Sequence, residues 1–255
     1  MEHEISNLVT YINSMSVTLY DKCWWIDKIP ANIDTVIDFG CAGGDLAHMI
    51  NRIMPDRFNY IGVDNSPIML QLAKHNKTFA NYPMQFYPNI KEIPFFKPEN
   101  TILVLNSVIH EIYTYMVPEA VATLFTELFN SGFAYIAIRD MYVKEPPNYI
   151  DYAIERLSSH PKWLDFTVER GVITPKDVVE FLLKYHYDAN WDRECREQYL
   201  WFWFDDFQTN YAKGYDVNFY NAFYIPYLKD KIYKDFGIDL NCDTHLKVLY
   251  KKTSL

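Results

Sequence analysis

The stretch Thr35-Val36-Ile37-Asp38-Phe39-Gly40-Cys41-Ala42-Gly43-Gly44-Asp45 limits what this chain can fold into more than any other. Val36 and Ile37 are β-branched and apolar, which suits a strand buried on both faces. Gly40, Gly43 and Gly44 then allow a tight turn and a close approach of a ligand to the backbone. Leu46, Met49, Ile50 and Ile53 recur at helical spacing. A strand over 34–39, a glycine turn and a helix over 45–53 make a nucleotide-binding corner, because free N–H groups and the helix dipole converge on the turn.

The rest of the chain repeats that unit. Tyr60-Ile61-Gly62-Val63-Asp64 is a second short strand ending in an acid, and Ser66-Pro67 starts a helix with Ser66 as cap. Met84 to Tyr87 is a weaker strand, closed by Pro88-Asn89. Thr101 to Leu105 is a buried strand, ending at Asn106-Ser107. Pro118 to Phe129 reads as a helix, and Phe133 to Ile138 as a fifth strand, ending at Arg139-Asp140. Such alternation predicts an α/β fold: a parallel sheet with helices on both faces. Ligands of these sheets sit beyond the carboxyl ends of the strands, so the polar residues there are the first functional candidates.

At both ends the pattern differs. Residues 4–20 have helical periodicity, and a second helix is expected over 20–25, so 1–29 is read as N-terminal helices closing the site. After Met141 the alternation stops. Thr174-Pro175-Lys176-Asp177 has the cap, proline and acid of a helix start, predicting a helix to about Tyr185. A further helix is expected over 192–207, holding Trp201, Phe202, Trp203 and Phe204, read as the insertion's own core. The region 142–225 is therefore expected to be a helical, aromatic-rich cap, with 30–141 and 226–255 forming the core. The last strand is placed at His245 to Tyr250, with Tyr220 to Tyr227 beside it.

Composition narrows the function classes. The net charge of −9 is no footprint for broad nucleic-acid binding. Cys23, Cys41, Cys195 and Cys242 are too scattered for a disulfide framework or a metal site, so no metal is expected and a reduced, cytoplasmic setting is. No apolar run approaches a membrane span, and the first residues lack the pattern of a signal peptide.

The glycine spacing alone fits a dinucleotide site and an S-adenosylmethionine (SAM) site alike. Asp38, placed two residues before the first glycine, and the irregular glycine spacing favour SAM. Asp38-Phe39-Gly40-Cys41-Ala42-Gly43-Gly44 resembles the first motif of the class I SAM-dependent methyltransferases, Asp/Glu-x-Gly-x-Gly-x-Gly, with Ala42 in place of the middle glycine. Asp64 resembles the acid ending their second strand, and Ser107-Val108-Ile109-His110-Glu111 the segment after their fourth.

The resemblance covers about 30–140 and 243–252. It implies a Rossmann-like seven-stranded, mostly parallel sheet, and a SAM site of Asp38, Phe39, Gly40, Cys41, Ala42, Gly44, Asp64, Asn65, Asn89 and Ser107. In it, Asp38 helps hold the α-amino group, Asp64 accepts the ribose hydroxyls, Asn89 bonds the adenine edge and Ser107 lines the sulfonium. Each has a plainer structural reading: Asp38 a buried carboxylate, Asp64 and Ser107 helix caps, Asn89 a turn residue, Cys41 a packed side chain.

His110 and Glu111 are the candidate catalytic pair. Methyl transfer needs a base only where the acceptor must lose a proton, a role that suits a near-neutral imidazole. The alternative is that His110 donates to a backbone carbonyl beneath the cofactor. Glu111, about 100° away on a helix, would orient the acceptor or bond a neighbour. Lys22 is a further candidate; its default is a solvated lysine. Pro146-Pro147-Asn148-Tyr149 reads as a turn rather than an amino-methylation motif, and Asn106-Ser107-Val108-Ile109 argues against adenine-N6 chemistry.

The expected function is a SAM-dependent methyltransferase acting on a small-molecule or nucleoside-like acceptor beneath the cap. A tRNA-type acceptor is the alternative, reached through Arg156, Lys162, Arg170, Lys176, Lys184, Arg193 and Arg196. Two others are SAM chemistry other than methyl transfer, and a non-catalytic SAM-binding subunit.

Overall fold

The computed structural model describes residues 18–77, 82–144, 150–168, 170–188, 190–199 and 203–253. The expected N-terminal helix over 4–20, the turn at 146–149 and the pair Trp201-Phe202 fall wholly or largely outside them. Seven strands form one sheet: β1 (Thr35–Phe39), β2 (Asn59–Val63), β3 (Met84–Tyr87), β4 (Thr101–Asn106), β5 (Tyr135–Met141), β6 (Tyr215–Phe223) and β7 (His245–Lys252). Their order is β3-β2-β1-β4-β5-β7-β6. Strands β1 to β5 run parallel, while β7 is antiparallel to both β5 and β6. The order reverses between β1 and β4, which opens a crevice at their carboxyl ends.

The helices that place the site follow local rules. Helix α1 (Asp45–Ile53) starts from Gly44 and buries Leu46, Ala47 and Ile50. Helix α2 (Pro67–Lys77) starts at Ser66, whose hydroxyl accepts from the Met69 N–H. Helix α3 (Ile109–Tyr115) has a distant cap: Asp140 of β5 accepts the Ile109 N–H at 2.7 Å. Helix α4 (Pro118–Asn130) lays Val121, Phe125, Leu128 and Phe129 on the sheet.

The cap contains α5 (Ile150–Leu157), α6 (Pro161–Thr167), α7 (Pro175–Lys184) and α8 (Trp191–Arg196). Helix α7 begins with the expected reciprocal cap, Thr174 and Asp177 each accepting the other's backbone N–H. Helix α9 (Pro226–Phe236), absent from the sequence reading, joins this layer. Leu228, Ile232 and Phe236 share a core with Trp163, Phe181 and Leu182 of the cap and with Met141 at the end of β5.

Several limits move. The fifth strand runs on to Met141, because pairing with β7 extends to Met141 opposite His245, so Arg139 and Asp140 lie inside it. The sheet takes the chain back at Tyr215, within the expected 142–225 insertion, and α9 lies with the cap although 226–255 was expected in the core. Strand β6 does lie beside β7, as expected for 220–227, but spans Tyr215–Phe223; it is an edge strand with mostly exposed residues, so no alternation marked its limits. The helix expected over 192–207 is two pieces, Trp191–Arg196 and Trp203–Asp206, the second continuing as a wide turn over Phe207–Tyr211. Trp203 packs with Phe125 and Phe129 in the sheet's core, not the insertion's, and donates its indole N–H to the Met141 carbonyl at 2.8 Å.

Candidate active site

The chain turns at the end of β1 with Gly40 at φ 80°, Ala42 at φ 45° and Gly44 at φ 78°. A Cβ on Gly40 would lie 2.7 Å from Val108, and one on Gly44 2.9 Å from Phe86. The bare backbone at Gly44 therefore serves packing against β3, while Gly40 borders the crevice. Ala42 adopts a left-handed conformation that costs an L-residue roughly 1–2 kcal/mol. It is held there by Asp64, whose Oδ2 accepts the Ala42 N–H at 2.8 Å, while Oδ1 accepts the Ser66 N–H at 2.9 Å.

These residues open onto a cavity of about 920 Å³. Phe39, Gly40, Ala42, Asp64, Asn65, Asn89, Ser107, His110 and Glu111 line it, as does Lys22. Three expected site residues do not: Asp38, Cys41 and Gly44. Asp38 is buried and accepts from the Tyr60 hydroxyl at 2.5 Å; burial lifts its pKa to about 6. Cys41 is buried, and its sulfur fills the space over Gly62. Asn89 borders the cavity, yet its amide is engaged locally. Its oxygen accepts the Lys91 N–H at 3.0 Å, and its nitrogen donates to Glu92. That is the turn role.

Ser107, at φ 55°, accepts from Arg139 at 3.3 Å. Arg139 is anchored by Asp21 at 2.6 Å, and Lys247 joins the same carboxylate. Lys22 is not the solvated lysine of the default reading. It is buried, and among the described residues its ammonium makes no hydrogen bond or ion pair. Burial and the Arg139 charge lower its pKa to about 8.

His110 lines the cavity and is itself buried. Its Nδ1–H donates to Asp140 at 2.8 Å, in place of the backbone carbonyl considered above, and Nε2 stands 3.8 Å from Glu197 of the cap. Burial lowers its pKa, but Asp140 and Glu197 together outweigh burial and raise it to about 9. At neutral pH His110 is thus an imidazolium and a donor, the wrong protonation state for a general base. Glu111 pairs with Arg193 at 2.6 Å, and Arg193 also donates to Glu197 at 2.6 Å. Tyr115 donates to Glu197 at 3.2 Å. Glu194 is buried beside them and accepts from the Tyr199 hydroxyl.

The sequence reading missed Glu194, Glu197 and Tyr199, and grouped Arg193 with surface cations. The signal available was the charge-dense run Asp192-Arg193-Glu194-Cys195-Arg196-Glu197 within an aromatic stretch.

A model of the methyltransferase domain matches residues 32–142. Residues 32–142 are a class I SAM-dependent methyltransferase domain. No curated protein matches the chain. Among solved structures, the methyltransferase domain of bacterial CtHen1 superposes with a TM-score of 0.50 at 13% identity, over 93% of this chain and 96% of that one. PKMT2 from Rickettsia typhi superposes with a TM-score of 0.51 at 13% identity, over 89% of this chain and 50% of that one. At such identity the likeness is one of fold. The methyltransferase's cofactor is SAM, and the donor set fits it: a two-oxygen carboxylate at the end of β2 beside a turn with bare backbone at Gly40. No described helix is long and apolar enough to cross a membrane.

Proposed function

We propose that the methyltransferase acts on a small molecule enclosed between the carboxyl ends of the strands and the helical cap. One observation carries this reading: a single cavity runs from Gly40 and Asp64 through His110 to Leu183, His186, Tyr187, Arg193, Glu194 and Tyr199 of the cap. Its volume of about 920 Å³ lies at the upper end of small-molecule sites, roughly 300–1,000 Å³, and leaves room for an acceptor beside the cofactor.

In this reading Asp64 would accept the ribose hydroxyls, the Gly40–Ala42 backbone would border the methionine part, and Lys22 would face its carboxylate. SAM, when bound, supplies an activated methyl group. The protein's task is then alignment and exclusion of water. The sheet would hold the cofactor, and the cap, 150–199 with 226–240, would cover the acceptor. The four free cysteines support a reducing, cytoplasmic setting.

The RNA reading has less support, because several of the cap's cations are buried or paired with carboxylates. Lys184 and Arg193 are buried, Lys162 pairs with Asp188, and Arg170 pairs with Asp177 and Glu180. Incubation with methyl-labelled SAM against small-molecule and RNA pools tests the proposal. Label in a small product is the expected result. Label in RNA alone would overturn the small-molecule reading, and transfer only from carboxyl-labelled SAM would overturn methyl transfer.

A further inference from the structure

The charges at the acceptor end of the cavity do not balance. Three carboxylates border it, on Glu111, Glu194 and Glu197, with Asp140 buried behind His110, against the cations of His110 and Arg193. Asp140 has His110, while Glu111 and Glu197 share Arg193. Glu194 has no such partner: among the described residues its carboxylate makes no ion pair, and it accepts from the Tyr199 hydroxyl. It is buried and lines the cavity. Aromatic rings surround this corner. Tyr199 packs edge-on against His110 with ring centroids 5.0 Å apart, and Tyr115, Tyr187 and Tyr227 also line the cavity.

Lys184 stands over the Tyr199 ring with its ammonium 4.5 Å from the ring centroid, but it forms its ion pair with Glu180. A buried carboxylate with no ion pair, in a cavity lined by further tyrosine rings, is complementary to an organic ammonium, which gains both the ion pair and ring faces. Resting on the reading of an acceptor beneath the cap, we propose that this acceptor is a protonated amine whose ammonium pairs with Glu194 and passes a proton to that carboxylate. In that step one N–H bond breaks, the nitrogen keeps the electron pair, and the proton bonds to a Glu194 oxygen. The amine is thereby left with the lone pair that methylation requires. His110, held charged between Asp140 and Glu197, leaves this role to Glu194.

The charged and titratable groups facing Glu194 are Glu197, Tyr199, Arg193 and His110, with Tyr187 and Lys184 beyond. Burial and the Glu197 charge lift the Glu194 pKa to about 7. Ammonium binding therefore strengthens as pH rises through about 7, where the carboxylate ionises.

Calorimetry on the enzyme loaded with S-adenosylhomocysteine tests this with three probes of one skeleton: phenethylamine, 2-phenylethanol and phenylacetate. The amine is expected to bind about tenfold tighter than the alcohol at pH 8, as an ionic hydrogen bond provides. That preference should fall at pH 6 and vanish in Glu194→Gln. Glu194→Asp, which keeps the charge but withdraws it, should weaken the preference even where Glu194→Gln does not fold. Tightest binding of phenylacetate, no preference for the amine, or a preference that survives in Glu194→Gln each overturns the proposal. Failure of S-adenosylhomocysteine to bind overturns the site reading beneath it as well, so the two failures are distinguishable.

Discussion

The backbone N–H of Ala42 donates to Oδ2 of Asp64 over 2.8 Å, joining the turn after β1 to the carboxylate that ends β2. Twenty-two residues separate the two in sequence. Asp64 therefore shapes the turn that borders the cavity, and in the proposed function it would also offer oxygens to the cofactor. Asp64→Ala is expected to weaken SAM binding more than tenfold by calorimetry, since a hydrogen bond to a charged group contributes roughly 1.5–3 kcal/mol. Wild-type affinity in the variant would remove Asp64 from the site.

Gly40 tests the turn itself. A Cβ there meets Val108 at 2.7 Å and must adopt φ 80°. Gly40→Ala should destabilise the fold by about 1–2 kcal/mol from the left-handed backbone alone. Urea denaturation reads this as a lower midpoint with an unchanged slope. An unchanged midpoint would mean that Val108 and the turn relax freely.

The His110–Asp140 pair predicts a loss of stability on the alkaline side. The pKa of His110 is raised from 6.5 to about 9 on folding, so its contribution is complete below about pH 6.5 and is lost as pH rises through about 9. The total is on the order of 3 kcal/mol. Asp140, lowered from its ordinary value, acts oppositely: its contribution is present above about pH 4 and is lost on further acidification. The difference in unfolding free energy between wild type and His110→Gln should shrink between pH 6.5 and 9. A constant difference would show that His110 is neutral in the fold.

Arg193 links Glu111 of α3 to Glu197 of the cap, with both contacts at 2.6 Å. Removing it leaves a buried carboxylate, Glu197, and a half-buried one, Glu111, without their shared cation. Arg193→Leu should cost about 3–5 kcal/mol, the usual effect of breaking a buried pair from one side. The triple variant Arg193→Leu, Glu111→Gln, Glu197→Gln should recover part of that. Equal stability of the single and triple variants would show that the charges are not coupled.

Much of the sheet was legible because its rules are local. Val36, Ile37, Ile102 and Leu103 are apolar neighbours in short runs, and burial on both faces is the arrangement that removes all of them from water. The caps at Ser66 and Thr174 were equally readable, since each satisfies N–H groups within three residues of itself. The edge strand β6 was legible only in part: Tyr220 was placed beside the last strand and does pair opposite Val248, but the start at Tyr215 was not read, because one paired neighbour and a mostly exposed face leave no periodic signature.

The sequence by itself determined the α/β sheet, the turn at Gly40 and the acid at Asp64, all written in patterns a few residues long. Tertiary structure decided what those residues meet. Asp38 turns to Tyr60 and Asn89 closes its own turn, while Lys22 borders the cavity. Above all, it brought Arg193, Glu194 and Glu197 of the cap onto His110, from more than eighty residues away in the chain. Charge and burial at that meeting point depend on how the cap packs over the sheet. No local pattern encodes that, and it fixes His110 as a cation and, among the described residues, leaves Glu194 without an ion pair.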